Sequence, residues 1–348
     1  METLMPYWSF IINLNKFPLF NLEKAVCNHG FFMMAPNDWD PSTKGFSRPL
    51  RLADSITSAM TTISQPPRKD HLVVKVYGSS VLFLEDERAI QSQVMRMLRL
   101  SVKDEQDVGH FHKLHPDAEA KGFGRLFRSP TLFEDVAKSL LLRFCPWKTS
   151  LDLAKALCDL QRKKFMSKRK IGDFPSPQEL ASFREEELKR KANFGFRAKD
   201  LIMLAKQVVD RKIDLSKFEK YDADARTFNV NINGAGPFTT HTIMMCAGYY
   251  GNIPIDSETV RHMKEFHGLN IKKRKKESLS PKIQQFYKHY HPFESLAYWF
   301  ELANSYEIKL GKALSKLLQS EYQYATGNYE KNKNEEEEGE EELLNVTL

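Results

Sequence analysis

Two short segments carry the groups best suited to chemistry. In Ile232-Asn233-Gly234-Ala235-Gly236-Pro237-Phe238-Thr239-Thr240, Gly-Ala-Gly permits a tight turn where positive φ is cheap. Pro237 then stands where a helix begins, the position at which its missing N–H is no loss. Turn and helix start would aim backbone N–H groups outward together, a natural grip for phosphate. Such a grip holds a nucleic-acid backbone without reading its sequence. Gly234, Gly236, Phe238 and Thr239 are the candidate backbone contacts, although an ordinary helix corner would use the same residues. Next comes Ile253-Pro254-Ile255-Asp256, an extended segment ending in an acid, ahead of a helix start at Ser257-Glu258-Thr259-Val260-Arg261. Asp256 lies 20 residues past Gly236, so one helix and a turn would return its carboxylate to the neighbourhood of the Gly-rich turn. Asp256 or Ser257 is also a good N-cap, and the two roles are compatible.

The elements that must position these residues divide into a β-rich part and a helical part. The expected class is α+β: an antiparallel β-rich domain over 1–95, an all-α domain over 96–325 and a disordered acidic tail over 326–348. Leu72 to Tyr77 and Val81 to Leu84, around Gly78-Ser79-Ser80, read as a hairpin. The stretch around Phe31-Phe32 and the run Arg48 to Leu52 read as further strands. From about Arg88 the period becomes helical, with Ile90, Val94, Met97 and Leu98 on one face. Leu132 to Phe144, Leu151 to Leu160, Ala198 to Val209 and Phe293 to Tyr306 are expected helices.

The Gly-rich turn and the Pro-x-Asp segment resemble those of the helix–hairpin–helix DNA glycosylases, the superfamily of endonuclease III and of the 8-oxoguanine and alkyl-purine glycosylases. The resemblance is nearest to a plant group of glycosylase-like proteins. Asn193-Phe194-Gly195-Phe196-Arg197-Ala198 looks like the family's turn upstream of the hairpin. Arg125 to Glu134 looks like the entry to its first long core helix. The likeness implies removal of a damaged base from double-stranded DNA by a nuclear, monomeric enzyme that needs no cofactor. The base is flipped out of the stack and Asp256 assists cleavage of its bond to the sugar. Bifunctional members place a Lys where this chain has Phe238, which cannot form an imine; water as nucleophile is therefore implied, and 8-oxoguanine specificity is put in doubt. In the loop Cys145-Pro146-Trp147-Lys148, Trp147 is either a wedge or a residue packed between helices. Tyr298 and Trp299 are candidate pocket walls or core residues. The competing reading is a DNA-binding protein of the same fold that has lost turnover.

Composition agrees with a polyanionic partner. The chain of 348 residues carries a formal net charge of +7, and Glu335 to Glu342 holds seven of its acids, so the charge without them doubles to +14. Lys272 to Lys276, Arg162-Lys163-Lys164 and Lys168-Arg169-Lys170 are basic clusters that suit DNA phosphate, nuclear import or a solvated loop. Cys27, Cys145, Cys158 and Cys246 form no Cys-x-x-Cys pair, which argues against an iron–sulfur cluster. His262, His267, His289 and His291 show no metal-ligand spacing with Cys or carboxylate, so no metal is expected. Apolar runs fall short of the roughly 18 residues of a spanning helix.

Overall fold

The computed structural model of the chain describes residues 6–78, 82–165, 172–219, 232–269 and 279–327. The acidic run and the basic runs 168–170 and 272–276 lie outside the described residues.

Five antiparallel strands form one sheet: β1 Tyr7–Asn13, β2 Asp38–Asp40, β3 Gly45–Arg51, β4 Ser58–Ser64 and β5 His71–Tyr77, in spatial order β1-β5-β4-β3-β2. Along β5, Leu72, Val74 and Val76 are buried while their neighbours stay half-exposed, the period-2 pattern of a sheet with one covered face. β5 pairs with β1 (Tyr7 opposite Tyr77) and β4 (Ile63 opposite Val74). It does not form the expected hairpin with the next apolar run. Leu82 and Phe83 lead instead into a helix whose first turn holds Glu85, Asp86 and Glu87, acids that suit the positive end of the helix dipole. Phe31 and Phe32 are not in a strand either: they sit in a buried 3₁₀ turn, Gly30–Met33.

The described helices run α1 Leu22–Val26, α2 Leu84–Met97, α3 Val102–Leu114, α4 Pro116–Ala120, α5 Leu132–Leu141, α6 Trp147–Lys164, α7 Pro177–Ala181, α8 Glu185–Lys191, α9 Arg197–Val209, α10 Pro237–Ala247, α11 Ser257–His267, α12 Leu279–Phe286 and α13 Glu294–Leu310. α2 buries Ile90, Val94 and Met97 as its period requires. α6 starts at Trp147, directly after Pro146, so the α5–α6 loop is 142–146 and excludes Trp147 and Lys148.

Sheet and helices share one interior, in which Phe46, Ile63 and Val74 join Val136, Leu140, Leu201 and Leu296. A buried ion cluster pins them together. Arg48 on β3 donates from both terminal nitrogens to Glu134 on α5, at 3.1 and 2.8 Å. Lys138, one turn along α5, reaches the same carboxylate at 2.8 Å. Burial alone would raise the Glu134 pKa, but Arg48 and Lys138 outweigh it and hold the carboxyl at about 2. No described helix is long and apolar enough to cross a membrane.

Candidate active site

The Gly-rich turn forms as its composition requires. Gly234 has φ +82°, and a Cβ at that position would collide with the Arg143 guanidinium and the Asp200 carboxylate. Both backbone and space therefore demand glycine there. Gly236 is different: its φ is −85° and nothing would meet an added Cβ. It serves as N-cap of α10, with Pro237 in the first turn. The opening N–H groups of a helix have no intrahelical acceptor; Pro237 has none to offer, so here they are those of Phe238 and Thr239, directly behind the exposed Gly236 and Pro237. The Thr239 side chain is buried, so any contact it offers to a phosphate is through its backbone. Phe238 turns the other way, into a cavity.

That cavity, of about 210 Å³, brings Phe238 together with Asp256, Trp147, Tyr298 and Trp299. Gly248, in the left-handed region at φ 99°, ends α10, and the chain returns through Pro254 to Asp256, the N-cap of α11. One Asp256 oxygen accepts from the Thr259 N–H at 2.9 Å and from the Thr259 hydroxyl at 3.0 Å. The cap and the cavity-facing acid are thus one residue. Burial raises the Asp256 pKa above its ordinary value; the Thr259 hydrogen bonds work in the opposite direction, and nearby Glu258 adds to the rise. Asp256 is a carboxylate kept short of water and aimed at a small apolar chamber, where its charge acts through a low dielectric.

The walls are aromatic. Tyr298 is buried and donates its hydroxyl to Thr259 Oγ1 at 2.9 Å, which links α13 to the Asp256 cap. The Trp299 Nε1–H donates to the Asn28 carbonyl at 2.6 Å. The Trp147 Nε1–H donates to the Tyr322 carbonyl at 2.7 Å, and the indole lies so close to Gly30 that a Cβ there would be 3.1 Å from its ring. In this structure Trp147 therefore stands as a wall of the cavity, packed between Gly30 and Tyr322.

Sequence reasoning missed three residues. His29 lies in the cavity wall with its ring 4.7 Å from that of Trp299. Burial, followed by the charge of Arg99, pushes its pKa down to about 3, so the imidazole is neutral. Its Nδ1 is buried without a hydrogen-bond partner. The other two are Phe144 and Phe196, outside the cavity. Phe144 is 87% exposed, in the left-handed region at φ 50°. Its ring is 6.1 Å from that of Phe196, itself 48% exposed, and the Arg143 guanidinium lies over both rings, 5.9 and 4.9 Å from their centres. Arg143 also pairs with Asp200, which accepts from Asn233 beside Gly234. One network thus ties the α5–α6 loop, the Gly195-Phe196 turn and the Gly-rich turn into a single surface. Phe196 stands inside a motif legible in the sequence, but its exposure does not show there.

No family model and no curated protein matches the chain; solved structures do. The structure of MBOgg1 in complex with a low-affinity DNA ligand aligns at a TM-score of 0.59 and 16% identity, over 88% of this chain and 100% of that one. The 8-oxoguanine glycosylase/lyase of Clostridium acetobutylicum, in complex with double-stranded DNA containing cytosine opposite 8-oxoguanine, aligns at 0.56 and 15% identity, over 86% and 97%. The 3-methyladenine DNA glycosylase of Archaeoglobus fulgidus aligns at 0.57 and 16% identity, over 84% and 96%. The structural neighbours of this chain are helix–hairpin–helix DNA glycosylases, and it has their fold.

Proposed function

We propose that the protein is a monofunctional DNA glycosylase of base-excision repair. The observation that carries this reading is Asp256, half-buried in an aromatic-walled chamber that Phe238, in the first turn of α10, also lines. A flipped base enters the chamber. As its bond to the sugar breaks, positive charge grows on the sugar, and the Asp256 carboxylate stabilises that charge and orients a water. Neutral His29 stands in the chamber wall, where its imidazole brings no positive charge to the entering base. Among the described residues the chamber wall holds no lysine, which supports water over an amine as nucleophile. In this reading the protein acts as a monomer in the nucleus, and a fluorescent fusion excluded from the nucleus would overturn that assignment.

The test is a panel of duplexes containing 8-oxoguanine, alkylated purines, uracil or mismatches, with alkali to reveal abasic sites. Base release without strand cleavage is expected, and borohydride is expected to trap no adduct. A trapped adduct would overturn the monofunctional mechanism. Duplex binding with no release from any substrate would favour the competing reading, a binding protein that has lost turnover.

Phe144 and Phe196 extend the reading to the DNA itself. Contacts with Phe196 and Arg143 leave most of the Phe144 side chain in solvent on a left-handed backbone, and apolar wedges of this kind unstack a base step. Phe144→Gly relieves the positive φ, so its stability is expected to equal or exceed that of wild type. Its base release is expected to fall about tenfold, the scale of one lost base–aromatic stack. Unchanged release by Phe144→Gly in single-turnover assays would remove the wedge.

A further inference from the structure

Along the middle and last turns of α11, two histidines and a glutamate converge. His262 and His267 on α11 both direct Nε2 at Glu301 Oε2 on α13, at 3.3 and 2.8 Å, and the three atoms lie within 4.8 Å of one another. Tyr287 donates its hydroxyl to the same oxygen at 2.6 Å. Three polar side chains thus crowd one carboxylate oxygen. His262 is only 1% exposed.

We propose that His262, His267 and Glu301 form a divalent transition-metal site, with Zn²⁺ as the fitting ion. Two imidazoles and a carboxylate are a regular donor set for Zn²⁺, with water in the remaining position. Bonds of about 2.0–2.2 Å at tetrahedral angles place ligand atoms roughly 3.3 Å apart. The His262–Glu301 separation of 3.3 Å matches that value and the His267–Glu301 separation of 2.8 Å lies below it, while the two nitrogens, no more than 4.8 Å apart, close toward it as the metal binds. With the metal bound, both Nε2 atoms present lone pairs to it rather than protons to Glu301, and the crowding is relieved. Tyr287 keeps its hydrogen bond and orients the ligating carboxylate. The site joins α11 to α13, so its role is to fasten the helix that Asp256 caps to the helix that carries Tyr298 and Trp299. None of the three ligands lines the chamber, so the proposal stands or falls independently of the glycosylase reading.

The test uses the full chain, stripped of metal with a chelator and titrated with Zn²⁺ by equilibrium dialysis, then with Co²⁺ followed by visible absorption. One tight equivalent is expected, with the intense absorption of tetrahedral Co²⁺ and a raised melting temperature. His267→Ala and Glu301→Gln are each expected to weaken that equivalent at least about tenfold and to abolish the Co²⁺ bands. His110→Ala, at an exposed residue elsewhere, is expected to leave both unchanged. No equivalent bound at micromolar Zn²⁺ would overturn the proposal and leave a hydrogen-bonded cluster. Equal affinity in wild type, His267→Ala and Glu301→Gln would overturn it by placing the metal elsewhere.

Discussion

Asp256→Asn is expected to slow base release by about 10²–10³-fold, the loss seen when one charge-stabilising group is removed from an active site, while leaving the fold intact. The two halves of this expectation have separate causes. Asn and Asp are equally good N-caps, so the hydrogen bond from the Thr259 N–H survives. The charge does not. Because burial raises the native pKa of Asp256 above its unfolded value of 3.8, the native state binds this proton more tightly than the unfolded chain does. Ionised Asp256 therefore detracts from stability at neutral pH, and the neutral amide removes that penalty. The melting temperature of Asp256→Asn should equal or exceed that of wild type. The same shift sets the acid limb of activity: the carboxylate must be ionised, so the rate should fall as pH drops through a value above 3.8. Undiminished activity in Asp256→Asn would end the catalytic assignment. A lower melting temperature would show that capping needs the charge.

Glu134→Ala is expected to lower the unfolding free energy by about 3–5 kcal/mol, since it leaves the buried charges of Arg48 and Lys138 without their counterion. Urea unfolding measures it, as a shift of midpoint at unchanged slope. The pH dependence has a definite sign. The native pKa of Glu134, about 2, lies below its ordinary 4.5. Its contribution is therefore complete above the unfolded pKa and is lost as pH falls from 4.5 toward 2. Wild type should lose stability through that window, and the part due to this residue should be missing from Glu134→Ala. A loss below about 1 kcal/mol would mean that water reaches the pair and screens it, as at a surface.

Legibility in the sequence followed the range of the interaction. Gly234, Pro237 and Asp256 announce themselves because a turn, a helix start and a cap are decided within a few residues. The helices with a clean apolar period, α5 and α9, lie where that period places them. Leu82-Phe83-Leu84 misled because an apolar triplet after Gly-Ser looks like a returning strand; the acids at 85–87 were the signal for a helix start. β5 found its partners elsewhere, in β1, some sixty residues earlier, and in β4. Phe31 and Phe32 are buried on both sides, so their apolarity says nothing about backbone. The candidate wall residues were visible as types, but their shared chamber is a product of tertiary packing. His29, Phe144 and Glu301 were invisible for the same reason. Glu301 meets His262 and His267 only across two helices, and those histidines, five apart, lack the spacing that marks a metal pair on one helix face.

One wall of the chamber, including Asn28, His29, Phe31 and Met33, is supplied by the segment between α1 and β2. The part of the chain that holds Asp256 thus does not own a complete chamber. A proteolytic fragment beginning after β5 would keep the acid, the Gly-rich turn and the metal ligands. It would also open the chamber to bulk water on the side of Trp299, whose indole N–H would lose the Asn28 carbonyl. Under the proposed function, recognition of the base and activation of the acid are therefore inherited together: variation near the N-terminus would retune what the chamber accepts without touching Asp256.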